Sequence, residues 1–173
     1  MSEKTYLQGA FILSLTNLVT GVIAFVYRVF LTKSIGAEGI GIYQLVLPLY
    51  FFFITLVSSG LITTISKLIA ESRVNSNRTN THQIIKVGLI ASGIWSTLFA
   101  LVICCNYDFL SNFVLKDDRT AYSILVFSPA IVFIALSAVI KGYFYGSEKV
   151  SVPAIIDIVE KLIRLVVLIF ITN

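Results

Sequence analysis

Charged side chains are missing from four long stretches of this sequence: Thr5–Tyr27, Gly39–Ser66, Val87–Tyr107 and Thr120–Ile140 contain no Asp, Glu, Lys or Arg. Across the chain, charged residues make up 13% against 57% hydrophobic, with a mean hydropathy of +0.94. A soluble domain of this size cannot bury four uncharged runs of that length and still present a wetted surface. Other scarcities exclude kinds of chemistry. One histidine (His82) and two adjacent cysteines (Cys104 and Cys105) supply no metal-ligand set, no disulfide framework and no nucleophile–base constellation. The thiols read as inert, and no metal, cofactor or enzymatic activity is expected. The connections between the runs are too short to hold a soluble domain, so whatever the protein does happens inside the bilayer or at its edge.

Each uncharged run is long enough to cross a hydrocarbon layer of about 30 Å at about 1.5 Å per residue. A fifth apolar stretch, Pro153–Ile171, has the length but carries Asp157, Glu160, Lys161 and Arg164. The expected fold is therefore an all-α integral membrane protein of about five transmembrane helices. The spans are expected near 6–31, 40–68, 84–106, 120–141 and 153–172, within one transmembrane domain over 1–173. The first span has no small-residue cleavage site and is expected to remain as an anchor.

The net charge of +4 calls for no nucleic-acid partner, because basic residues beside spans set topology. With the N-terminus in the cytoplasm, Lys4, Lys67, Arg73, Arg78, Lys86, Lys141 and Lys149 lie inside. Arg28, Lys33, Lys116 and Arg119 lie outside. The balance favours a multi-pass protein of the cell membrane with a cytoplasmic N-terminus. Asn77-Arg78-Thr79 fits a glycosylation sequon, but its loop is then cytoplasmic and the match accidental. Gly36, Gly39 and Gly41 predict a tight reversal between the first two spans. Pro48 and Pro129 each fall well inside a span, where neighbouring helices can satisfy the freed carbonyl.

Polar residues within the spans fall on faces. Span one places Ala10, Ser14, Asn17, Gly21, Ala24 and Arg28 on one stripe, and span two places Gln44, Pro48, Thr55, Ser59, Thr63 and Ser66 on another. Span three has Gly88, Ser92, Ser96 and Ala100 at intervals of four, and span four offers Ser123, Ala130, Ser137 and Lys141. Small residues at such spacing let membrane helices approach closely, which is the reading for span three. For spans one and two, close packing and the wall of a water-filled cavity both remain open. Asn17, Gln44 and Arg28 are larger and more polar than packing needs, although Arg28 can also snorkel to the outer interface.

The fifth run poses an energetic problem. Four ionisable groups at mid-depth cost roughly 10–14 kcal/mol on insertion scales, and the apolar residues from Ala154 to Ile171 return about 4–8 kcal/mol. Unpaired, the charges win. Asp157–Lys161 and Glu160–Arg164 are both spaced i,i+4 with the acid first, the favourable orientation on a helix. Two readings follow: a self-neutralised stripe against partner helices, or a polar cavity wall for substrate or a coupling ion.

Several segments carry a family resemblance. Gly36-Ala37-Glu38-Gly39-Ile40-Gly41-Ile42-Tyr43-Gln44, followed by Leu47-Pro48-Leu49-Tyr50, resembles the first loop and second helix of the stage V sporulation protein B and polysaccharide-exporter families. So do Ser128-Pro129-Ala130, Lys141-Gly142-Tyr143-Phe144-Tyr145-Gly146, Pro153, and Glu160 with Arg164. These families belong to the superfamily of multidrug, oligosaccharidyl-lipid and polysaccharide transporters.

The resemblance implies a two-bundle transporter that flips lipid-linked saccharide precursors by alternating access, and more helices than the five found here. The chain is accordingly expected to be the N-terminal part of a longer protein, supplying part of one bundle. In that setting Arg28, Lys161 and Arg164 would attract a pyrophosphate, and Asn17 and Gln44 would hydrogen-bond sugars. Asp157 and Glu160 would balance charge or bind a coupling cation. The expected partners are membrane lipid and a lipid-linked saccharide, with a coupling cation left open. The alternatives are a cation-coupled multidrug exporter and a non-transporting membrane assembly subunit.

Overall fold

The structure, a computed structural model, describes the backbone of residues 3–74 and 78–172 and the side chains of 11–73 and 81–170. Asn77 of the sequon, and the side chains of Lys4, Ala10 and Arg78, lie outside these described residues. Helices α1 (Glu3–Val74), α2 (Arg78–Cys105), α4 (Ala121–Gly146) and α5 (Ser151–Thr172) account for nearly all of the chain. Between α2 and α4 come one helical turn, α3 (Tyr107–Phe109), a π-helical stretch Leu110–Leu115 and a 3₁₀ turn Asp118–Thr120. No strand occurs among the described residues. Helix dominates for a physical reason: with no water in the hydrocarbon, backbone N–H and C=O groups must pair within their own segment. Pro48 within α1 and Pro129 within α4 each remove a donor without ending the helix.

Three helical segments are long and apolar enough to cross a membrane: Phe11–Arg73, Thr81–Cys105 and Asp118–Gly146. The first holds 63 residues, about 95 Å of helix and three times the hydrocarbon thickness. It is interrupted at Gly36, whose φ of 71° and ψ of −177° lie in a region essentially reserved for glycine. Two helical segments, 3–35 and 37–74, therefore meet at one residue. This corrects the expected three-glycine loop: Gly39 and Gly41 are helical, because a single glycine in this conformation is enough to break the ladder.

The residues group into two compact units, Met1–Ile40 with Glu148–Asn173, and Gly41–Ser147. In the first unit, α1 buries Thr16, Thr20 and Leu31. The threonine hydroxyls are satisfied within the helix: Thr16 Oγ1 donates to the Ile12 carbonyl and Thr20 Oγ1 to that of Thr16, both at 2.8 Å. On α5, Pro153 and Ala154 are buried at the first turn, where a proline costs no helical hydrogen bond.

The second unit packs the 37–74 half of α1 with α2 and α4. Val57, Ile103, Ile124, Ile131 and Ala135 form one buried cluster, and Ile65, Ile69 and Val139 another. On α2 the expected packing stripe holds: Gly88, Ser92, Ser96 and Ala100 are all buried. Ser92 and Ser96 donate to the carbonyls of Leu89 and Gly93 in their own helix, so they pack as small groups with no need of a polar partner. On α4 the buried face is Ile124, Ser128, Ile131, Ala135, Val139, Gly142 and Gly146, one residue on from the polar stripe read in the sequence. Ser123, Ala130 and Lys141 sit at its half-buried edge and Ser137 is exposed.

Glycines set how closely these helices approach. A Cβ on Gly142 would lie 2.9 Å from Ile65 Cβ and 3.0 Å from the Ile62 carbonyl oxygen. A Cβ on Gly146 would meet the Ser66 carbonyl first, then Ile69 Cβ at 2.8 Å. From α2, Gly88 would meet Ile65 Cδ1 at 2.8 Å. Gly142-x-x-x-Gly146 is thus a small-residue contact at backbone distance. Beside it the Arg73 guanidinium donates from Nη1 to the Ser147 carbonyl at 2.6 Å, supplying a cation at the C-terminus of α4.

At the opposite end of α2 and α4, Ser111 and Thr120 are fully buried. Their hydroxyls lie 3.0 Å apart, and both reach the Asp117 carbonyl, at 2.8 and 2.7 Å. Outside the spans, the Tyr107 hydroxyl titrates above its usual range, chiefly through the adjacent Asp108 charge and a hydrogen bond to it.

Glycine substitutions should separate these effects. Gly146→Ala is expected to destabilise the protein by about 1–3 kcal/mol, because backbone on α1 must move. Gly36→Ala, with nothing within 4 Å, should cost a similar 1–3 kcal/mol through backbone strain alone. Gly21→Ala, helical and equally open, should be neutral or stabilise by up to about 1 kcal/mol. Thermal unfolding of the three variants in detergent checks the order.

Candidate functional site

Helix α5 is built from two sectors. Ile155, Val159, Leu162, Ile163, Val166 and Phe170 are exposed apolar side chains. Asp157 and Lys161 are half-buried and share a face with buried Ala154 at i,i+3 and i,i+4 spacing. Glu160 and Arg164 flank that face and are exposed. The α-helical register joins them: Arg164 Nη2 donates to Glu160 Oε1 at 2.9 Å, with side chains 59% and 56% exposed. This is a charge-assisted hydrogen bond of ordinary length, and it realises one of the two pairs expected from spacing.

On the first half of α1, Ser14, Asn17, Gly21, Ala24 and Arg28 are all exposed, while Thr16, Thr20 and Leu31 turn inward. The two sets are offset by one residue, about 100° around the helix. On the second half, Gln44, Pro48, Thr55, Ser59 and Thr63 are exposed along one line, interleaved with exposed Phe51 and Phe52. Thr55 and Thr63 donate back to the carbonyls of Phe51 and Gly60, leaving their hydroxyl oxygens as acceptors on that surface.

Of the seven residues singled out from sequence, Asn17, Arg28, Asp157, Glu160, Lys161 and Arg164 belong to the first unit, and Gln44 to the second. Among them, Glu160 and Arg164 are brought to bonding distance. Among the described residues no group of three or more His, Cys, Asp or Glu is placed to hold a metal ion. Sequence reasoning missed Arg73, read only as a topology marker. The available signal was its position in the last turn of a helix, next to a segment that also contains the Gly142–Gly146 contact.

Comparison with known proteins adds a family. Residues 6–173 match the family described as polysaccharide biosynthesis protein. Stage V sporulation protein B of Bacillus subtilis (strain 168) is 33% identical over 165 residues, which cover 95% of this chain and 32% of that protein. Sporulation protein YkvU of the same organism is 24% identical over 163 residues, 94% of this chain and 35% of the relative. The lipid II flippase MurJ, also from B. subtilis, is 21% identical over 176 residues, covering 97% and 32%. The chain thus spans about a third of the length of these curated relatives. No solved structure matches it.

The setting of the α5 charges is measurable. A double-mutant cycle of Glu160→Gln and Arg164→Gln, read by equilibrium unfolding, should give a coupling of about 0.3–1 kcal/mol if water reaches the pair. A coupling of several kcal/mol would place the pair in a dry interface.

Proposed function

We propose a transport function for this chain, which belongs to the polysaccharide biosynthesis protein family: the intact protein moves a lipid-linked oligosaccharide or envelope-polysaccharide precursor from one leaflet of the cell membrane to the other. The observation that carries this reading is the α5 charge set in a multi-pass membrane protein. An acid–base pair bonded at 2.9 Å, beside half-buried Asp157 and Lys161, stands on a helix whose other face is apolar. Ionisable groups at membrane depth are costly and commonly mark substrate or ion pathways.

In this reading the cationic groups of Arg28, Lys161 and Arg164 attract the pyrophosphate, arginine through its planar fork of donors. Asn17 and Gln44 exchange hydrogen bonds with the saccharide. Asp157 and Glu160 hold the cations in place between transport events and offer a site to a coupling cation. The chain forms one transmembrane domain that is the N-terminal part of the first bundle, with α5 as its fifth span. Transport then proceeds by rocking of bundles around a central site. No bond of the cargo is made or broken, so the activity is not enzymatic.

Two experiments test the proposal. With the intact protein reconstituted in vesicles, Arg164→Ala and Glu160→Ala should each slow flipping of a polyprenyl-pyrophosphate saccharide about tenfold or more. That corresponds to one charged hydrogen bond of about 1.5–3 kcal/mol. Full rates in both well-folded variants overturn the assignment. For a cytoplasmic N-terminus, Lys116→Cys should react with an impermeant thiol reagent on intact cells, and Lys149→Cys only after permeabilisation.

A further inference from the structure

A groove of about 580 Å³ runs between the 37–74 half of α1 and the first half of α2, wholly within the second unit. One wall is Leu61, Ile65 and Leu68, and the other is Ile84, Val87 and Ala91. Its polar lining is graded along the helices. Glu71, Ser72 and Gln83 stand at the end nearest the α1–α2 connection, Thr64 lies midway, and the far end at Leu61 and Ala91 is apolar. From residue 61 to 72 the α1 wall rises about 16 Å, and from 83 to 91 the α2 wall rises about 12 Å. One leaflet of hydrocarbon is about 15 Å deep. The groove therefore has about the length of one leaflet and is polar at one end and apolar at the other.

Glu71 is the one charged residue of the lining, and two lysines flank the walls outside it. Lys67 Nζ lies 3.9 Å from Glu71 Oε1, and both side chains are largely exposed. Lys86, also exposed, follows Gln83 by three residues on α2. Ser72 is tied across the mouth to Thr81, hydroxyl to hydroxyl at 3.1 Å, which fixes the spacing of the two walls there. At the floor Gly88 seats against Ile65, so the walls cannot close further.

We propose that this groove is a binding site for one membrane phospholipid: an acyl chain lies along Leu61–Leu68 and Ile84–Ala91, and the polar head sits at the mouth by Ser72 and Gln83, with Lys67 and Lys86 reaching its phosphate from beside the walls. Three features converge on this occupant. Both walls are membrane-crossing helices by length and composition. The polar-to-apolar gradient runs along the helices, and its extent is about that of a single leaflet. A soluble polar ligand would leave the apolar floor unmatched. The inference rests on the membrane reading and not on transport, so it stands or falls separately from the proposed cargo.

The test uses the full-length protein in nanodiscs of phosphatidylglycerol or phosphatidylethanolamine, released for native mass spectrometry. Ala91→Phe plugs the deep end from an exposed position, and Leu98→Phe, two turns further along α2, is the control. Wild type and Leu98→Phe should each retain one phospholipid, with Ala91→Phe reducing that occupancy at least about fivefold, a difference of about 1 kcal/mol in binding. Lys67→Gln with Lys86→Gln should lower retention of phosphatidylglycerol while leaving thermal stability unchanged. Equal retention by Ala91→Phe and wild type overturns the proposal. So does a nitroxide at Val87→Cys that fails to meet lipid-soluble oxygen, since the groove is then covered by protein.

Discussion

The approach of Gly146 to the Ser66 backbone is the constraint around which the second unit is arranged. Without a Cβ at Gly142 or Gly146, α4 can lie against the α1 backbone itself, with Ile65 and Ile69 wedged alongside. That closeness has consequences at each neighbouring position. It carries the Ser147 carbonyl to within 2.6 Å of Arg73, so the end of α4 is capped by a cation from another helix. It also leaves Ile65 as the surface on which Gly88 seats, bringing α2 in at the same level. In lipid there is little hydrophobic gain from bringing helices together, so close dispersion contact and such capping bonds must supply the association. A methyl group added at Gly146 would therefore disturb all three helices.

The charges of α5 obey a different balance. Four isolated ions on one helix would oppose insertion by more than its apolar residues favour it. The 2.9 Å Glu160–Arg164 bond removes part of that opposition locally, and the half-burial of Asp157 and Lys161 beside Ala154 turns them from the apolar sector. Self-neutralisation and a polar wall, which spacing alone leaves as alternatives, are thus compatible on one helix. A paired, exposed Glu160–Arg164 can still exchange its partner for an anionic group, whereas a pair sealed among apolar side chains would pay heavily to open.

How much of this was legible in the sequence depended on whether a feature was local. The uncharged runs marked the helices because exclusion of charge from lipid acts residue by residue. The i,i+4 spacing of Glu160 and Arg164 indicated their bond for the same reason. The Gly88–Ser92–Ser96–Ala100 stripe was readable because small residues at constant spacing have few other uses. On α4 the polar residues gave no packing face, because the contact is made one residue on and depends on glycine, at Gly142-x-x-x-Gly146. The reversal was placed over three glycines because sequence gives no dihedral angles, and only Gly36 leaves the helix. The position of Arg73 in the last turn of a helix was a local signal, but its partner was not legible, since that acceptor lies 74 residues away.

Exposure within the uncharged runs is itself of two kinds. On α2 the outward residues are Val87, Ile90, Ile94, Trp95, Leu98, Leu101 and Val102, a surface that acyl chains can cover at no cost. On the first half of α1 the outward line includes Ser14, Asn17 and Arg28, and on the second half Gln44, Thr55, Ser59 and Thr63. Arg28 directly follows the uncharged run, near the break at Gly36, where it can snorkel to the interface, while Thr16 and Thr20 within the run are buried. The first half of α1 therefore exposes the Asn17 amide while burying the milder hydroxyls of Thr16 and Thr20, each already bonded within the helix. Under the transport reading, water or a polar cargo meets these stripes and satisfies the amides that hydrocarbon would leave unpaired.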